Sequence, residues 1–94
     1  MNERPLREFF AERAAETADR QLGRIEFGLI HHLTRQREFP SVDALVRFCR
    51  DPQNLQGLLP DPRDRRLFSR RLVDALLEYR HLETDAATGV RPPR

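Results

Sequence analysis

The chain has 94 residues, with seventeen arginines, no lysine, fifteen acidic residues and a net charge of +2. That length makes one domain with a modest core, and the near balance of charge argues against an indiscriminate nucleic-acid binder. A single cysteine, Cys49, excludes an internal disulfide, and no apolar run approaches the ~20 residues of a bilayer span or the core of a secretory signal, so a reducing cytoplasm is the expected setting and no membrane partner is expected.

From Leu6 to Leu33 the apolar residues Leu6, Phe10, Ala14, Ala18, Leu22, Ile25, Leu29 and Leu33 recur at helical spacing. At 100° per residue such a stripe drifts by roughly half a turn over this length, which one straight helix with one buried face does not accommodate. A break or bend near Gly23 is the economical solution, because glycine weakens a helix interior by about 1 kcal/mol relative to alanine. The alternative is one long helix whose wide apolar face, broadened by Phe9, Phe27 and Ile30, is covered by a second subunit, and this face is the expected homodimer surface.

Phe39-Pro40-Ser41 closes that region, and Ser41 is a good N-cap for a short helix with Ala44, Leu45, Phe48 and Cys49 facing inward. Asp51-Pro52 stops it. The same dipeptide returns at Asp61-Pro62, and each places a capping side chain before a proline at the first helical position. The first start predicts a single turn containing Leu55, Leu58 and Leu59. The second predicts a helix from Pro62 to about His81 that buries Phe68, Leu72, Val73, Leu76, Leu77 and Tyr79. Beyond Leu82 apolar residues are too few to pack, so residues 83–94 are expected to form a flexible, disordered tail and residues 1–82 a single helical domain. No strand alternation appears, and the fold class is all-α, a small bundle of three to five helices.

Charge is unevenly distributed. Residues 1–19 hold five acids against three arginines, whereas residues 61–71 hold five arginines against two aspartates. Arg63, Arg66 and Arg70 share one helix face, where they repel one another and oppose the macrodipole of the helix start. Folding does not account for that row, whose guanidiniums suit carboxylate or phosphate. The plain alternative is a solvated face paired with the acidic first helix. The complete absence of lysine also has a plain explanation in the codon usage of a GC-rich bacterium or its phages, which weakens arginine content as a sign of binding. Arg20, Arg24, Arg35, Arg37, Arg47 and Arg50 form a second basic group, and some of them would join the row if the helices pack antiparallel. Leu55-Gln56-Gly57-Leu58-Leu59 fits a Leu-x-x-Leu-Leu groove-binding pattern, although in a chain this rich in leucine internal packing is the better explanation.

Catalytic and metal chemistry find little support. His31 and His32 are adjacent and point about 100° apart on a helix, Glu78-x-x-His81 occurs once where a di-iron bundle needs two copies, and Cys49 sits at a buried phase. No phosphate loop or nucleophile elbow is present. The phenylalanines fall at apolar phases rather than in an exposed stacking row. The expectation is a non-enzymatic protein-interaction module (an adaptor, chaperone or inhibitor), without cofactor or metal, that docks on a larger protein through Arg63, Arg66, Arg70 and Arg71, with Leu55, Leu58 and Leu59 as a secondary contact. The alternative is a small dimeric nucleic-acid-binding regulator that contacts phosphates through the same arginines.

Overall fold

The computed structural model describes residues 1–88. It is an all-α bundle of four helices, α1 (Glu3–Glu16), α2 (Arg20–Gln36), α3 (Val42–Arg50) and α4 (Pro62–Thr88), with a 3-10 turn over Pro52–Leu55 and no strand among the described residues. No helix of the described residues is long and apolar enough to cross a membrane.

Short polar side chains start the elements. Asp19 Oδ1 accepts the backbone N–H groups of Gln21 (3.0 Å) and Leu22 (3.3 Å), Ser41 Oγ accepts that of Ala44 (3.1 Å), and the two Asp-Pro pairs accept from Gln53 (3.0 Å) and Arg63 (2.8 Å). Each satisfies a donor that the helix start leaves unpaired.

The break in the N-terminal region lies at Thr17–Asp19, upstream of the Gly23 position suggested by sequence. Thr17 is extended, its hydroxyl donates to the Arg13 carbonyl at 2.7 Å, and Asp19 restarts the helix as an N-cap. Capping chemistry outweighs the glycine signal because an N-cap supplies hydrogen bonds that a weak helix former cannot. Gly23 serves a different purpose. It lies inside α2 where α1 crosses, and a Cβ there would stand 2.9 Å from the Ala14 Cα and 3.0 Å from the Ala14 carbonyl oxygen.

The helical hairpin therefore folds the apolar stripe of residues 6–33 onto the chain itself. Leu6 and Phe10 of α1 and Leu29, Ile30 and Leu33 of α2 are buried in one cluster with Phe39, Val42, Leu45, Val46, Cys49, Leu55, Phe68, Leu72, Ala75, Leu76 and Tyr79. Part of the face expected to pair two subunits is thus covered from within, while Phe9, Leu22, Ile25 and Phe27 remain half-buried and Ala18 exposed. Phe9 rests on Tyr79 with ring centroids 5.3 Å apart, which seats α1 on the C-terminal half of α4.

Helices α3 and α4 run antiparallel. Asp43 at the start of α3 meets Arg80 (3.0 Å), and near its end the Cys49 carbonyl accepts the Ser69 hydroxyl at 2.5 Å, satisfying one of the carbonyls that a helix end leaves free. The Cys49 thiol is fully buried, and burial pushes its pKa up to about 12.

Helix α4 continues past His81 to Thr88, where the sequence suggested an end near Leu82. Interactions at a spacing of four support the extension: the Tyr79 hydroxyl donates to Glu83 (3.3 Å), the Thr84 hydroxyl to the Arg80 carbonyl (3.0 Å), and His81 faces Asp85 (3.8 Å). The rest of the expected tail, residues 89–94, lies outside the described residues.

The two glycines of α2 make opposite predictions. Gly28 has open space around its Cβ direction, so Gly28→Ala should raise unfolding free energy by about 1 kcal/mol through helix propensity alone. Gly23→Ala gains the same propensity but must separate two backbones, so it should lower stability by about 1–3 kcal/mol net. Thermal melts of the two variants would check the pair.

Candidate functional site

The arginine row does not behave as a unit. Arg71 turns inward from α4, where its Nε donates to Glu26 Oε2 at 2.6 Å and its Nη2 pairs with the same oxygen. Glu26 also receives the Nε of Arg13 from α1 at 3.3 Å, and Arg13 reaches Glu78 of α4 at 3.2 Å. The Glu26 side chain is only 2% exposed, so its charge depends on these two guanidiniums. Arg71 is thus an internal tie between α2 and α4, unlike the partner-facing residue that sequence suggested. Helical phase explains the difference: Arg71 lies 100° from Arg70, on the flank of α4 that faces α2.

Arg63, Arg66 and Arg70 remain on the outward face. They are exposed, and their side chains have no hydrogen bond or ion pair among the described residues. Arg65 points away from them and donates to the Leu59 carbonyl at 3.4 Å.

Arg66 and Arg70 line an open groove of about 350 Å³ together with Arg50 and Pro52 from the end of α3 and the turn, and Ser69, Val73 and Asp74 from α4. Arg50 arrives there because α3 runs antiparallel to α4 and ends beside its first turns. It too has no side-chain partner among the described residues. Three arginines from two elements therefore line one groove, together with one acidic residue, Asp74. Arg63 lies one turn earlier on the same face. Continuing along α4, Arg66, Arg70, Val73 and Leu77 share a stripe at spacings of four, three and four, and Leu77 is 36% exposed. The surface is charged at one end and apolar at the other.

Other members of the second basic group lie elsewhere. Arg20 and Arg24 line a separate shallow groove with Gln21 and Ile25, and the Arg37 guanidinium sits 4.7 Å over the Phe48 ring. The leucine segment is largely internal. Leu55 is fully buried and so has no surface to offer a partner, whereas Leu58 and Leu59 are half-buried against the core. Their backbone N–H groups both return to the Leu55 carbonyl, at 3.0 and 2.9 Å, closing the turn.

His31 stacks on Phe27 at 6.0 Å while His32 is exposed, consistent with their divergent directions. Among the described residues no group of three or more His, Cys, Asp or Glu side chains is arranged to hold a metal ion.

Sequence reasoning overlooked Glu26. Its signal was present, because Glu26 falls four residues after Leu22 and four before Ile30, inside the apolar stripe, and a carboxylate at a buried phase calls for a cationic partner. Which arginine would answer it could not be read from spacing.

No family model, curated protein or solved structure matches this chain.

The division between internal and outward arginines makes a stability prediction. Glu26→Gln keeps the side chain's shape but removes the charge that two guanidiniums share, and it should lower unfolding free energy by about 3 kcal/mol, near the lower end for a broken buried pair because both arginines retain some contact with water. Arg70→Gln should change it by less than about 0.5 kcal/mol. Urea denaturation of both variants is the check.

Proposed function

We propose that this chain is a non-enzymatic interaction module of the reducing cytoplasm, an adaptor, chaperone or inhibitor, that docks on an acidic segment of a larger protein. The observation that carries this reading is the convergence of Arg50, Arg66 and Arg70 on one open groove without a hydrogen bond or ion pair from the fold. Like charges placed together are unfavourable on their own. Arg63, one turn earlier on the same face, stands in the first turn of α4, where a cation opposes the helix macrodipole. A ligand bearing carboxylates would relieve both, and arginine's planar fork suits them bidentately.

The rest of the surface favours protein over nucleic acid as the partner. Val73 and Leu77 extend the arginine stripe with apolar surface, which a protein helix can cover and a phosphate backbone cannot. Arginine flanked by apolar side chains is also the composition that concentrates binding energy at protein interfaces.

The test uses a fluorescein-labelled helical peptide with glutamates at i, i+4 and i+7 followed by leucine. Its anisotropy should rise on titration with the wild-type protein, and Arg66→Glu/Arg70→Glu should weaken binding at least roughly tenfold, since charge-assisted contacts contribute more than one decade each. Helical circular dichroism should be unchanged, because neither side chain makes a hydrogen bond or ion pair among the described residues. Equal binding by the variant contradicts the site. Preferential capture of a short mixed-sequence DNA duplex, with affinity falling steeply as salt rises, would replace the protein partner with a phosphate backbone.

A further inference from the structure

A second surface of the chain carries charge that folding does not use. On α1, Glu8, Glu12 and Glu16 follow one another at spacings of four and are all exposed. Glu8 forms an exposed pair with Arg4 at 3.3 Å, whereas Glu12 and Glu16 have no partner among the described residues. Glu16 closes the helix, the end at which the macrodipole disfavours an anion. The acidic row of α1 and the arginine row of α4 are therefore matching exceptions: one ends on Glu16 in the last turn of α1 and the other begins on Arg63 in the first turn of α4, each opposing the macrodipole of its helix.

The two rows also match in length. At 1.5 Å per residue, Glu8 to Glu16 spans about 12 Å and Arg63 to Arg70 about 10 Å. Exposed Ala11 and Ala15 lie beside the glutamates on the α1 surface, so no bulky side chain there holds a neighbouring helix away. Within one chain the rows do not pair. Helix α1 reaches α4 through Phe9, which rests on Tyr79, and through Arg13, which meets Glu78, on the C-terminal half of α4. The groove of Arg50, Arg66 and Arg70 sits at the opposite half, against the end of α3.

From this complementarity we infer that the groove accepts the acidic face of α1 from a second copy of the chain. The inference rests on the docking groove proposed above and names one occupant for it. Because the groove and the acidic helix are different patches, a single contact leaves a groove free on one copy and an acidic helix free on the other, so it builds open chains or closed rings, of which a reciprocal two-fold pair is the smallest. An external acidic segment would compete for the same arginines, so partner docking and self-assembly exclude each other at each groove.

Light scattering coupled to size exclusion tests this, at low salt and at protein concentrations up to about 1 mM. The wild type should show a mass that rises with concentration above the 11.1 kDa monomer, and about 0.5 M salt should return it to the monomer by screening. Glu12→Gln/Glu16→Gln and Arg66→Gln/Arg70→Gln should each be monomeric alone. Mixed in equal amounts they should form a species of twice the monomer mass and no larger, because the first keeps a working groove and the second a working acidic helix. A wild type that stays monomeric, assembly that survives either pair of substitutions, or a mixture without the doubled species overturns the inference. The labelled acidic peptide separates this failure from that of the docking reading. If it binds Glu12→Gln/Glu16→Gln as it binds wild type while no assembly forms, the groove stands and the second copy falls; if it binds neither protein, both fall.

Discussion

The arrangement of this bundle depends on one buried carboxylate. Glu26 sits where α1, α2 and α4 meet, and an unpaired charge at 2% exposure would be strongly unfavourable. Arg13 and Arg71 must therefore reach it together, which ties the α1–α2 hairpin to α4 at a defined rotation and height. Well-packed apolar residues in place of Glu26, Arg13 and Arg71 together would give comparable or greater stability, so the ion cluster is better read as a device for register than for strength, whereas loss of Glu26 alone strands two guanidiniums. The same contact sorts the arginines of α4. Arg71 is drawn inward, and the face 100° away keeps Arg66 and Arg70 free.

The groove then follows from helix punctuation. Asp51-Pro52 ends α3 with Arg50 as its last helical residue, where a cation favours the helix end. Antiparallel packing lays that end beside Arg66 and Arg70 of α4, which have no ion pair among the described residues. Arg50 is thus explained by its own helix, while Arg66 and Arg70 are not, and the unexplained pair marks the surface a ligand would stabilise. The acidic end of α1 repeats the pattern with the sign reversed. The exposed glutamates of α1 and the exposed arginines of α4, opposite in sign and largely without partners among the described residues, form a complementary pair of surfaces.

Much of the architecture was legible in the sequence because it is local. Ser41 and the two Asp-Pro dipeptides announce helix starts through side chains that bond the next residues' N–H groups. The apolar phases of α3 and α4 placed Cys49, Phe68, Leu72 and Leu76 in the core. The break after α1 was misplaced because Gly23 carries two signals, helix weakness and close approach, and only the position of Ala14 across the hairpin distinguishes them. The end of α4 was placed too early because pairs such as Tyr79 with Glu83 sustain a helix without a buried face. Of the candidate site, the outward row of Arg63, Arg66 and Arg70 was readable from helical phase. The recruitment of Arg50, the withdrawal of Arg71 onto Glu26 and the burial of Leu55 were not, since each depends on which helices become neighbours.

The central claim is the division of arginines between the fold and a ligand, and side-chain hydrogen exchange measures it directly. In protein labelled with ¹⁵N-arginine, the Nε–H signals of Arg13 and Arg71, which donate to Glu26, should be protected from exchange with water in the free protein. Those of Arg50, Arg66 and Arg70 should exchange rapidly when the protein is dilute and become protected on addition of an acidic helical peptide. Protection of Arg66 or Arg70 in the dilute, free protein, or rapid exchange at Arg71, would contradict the account.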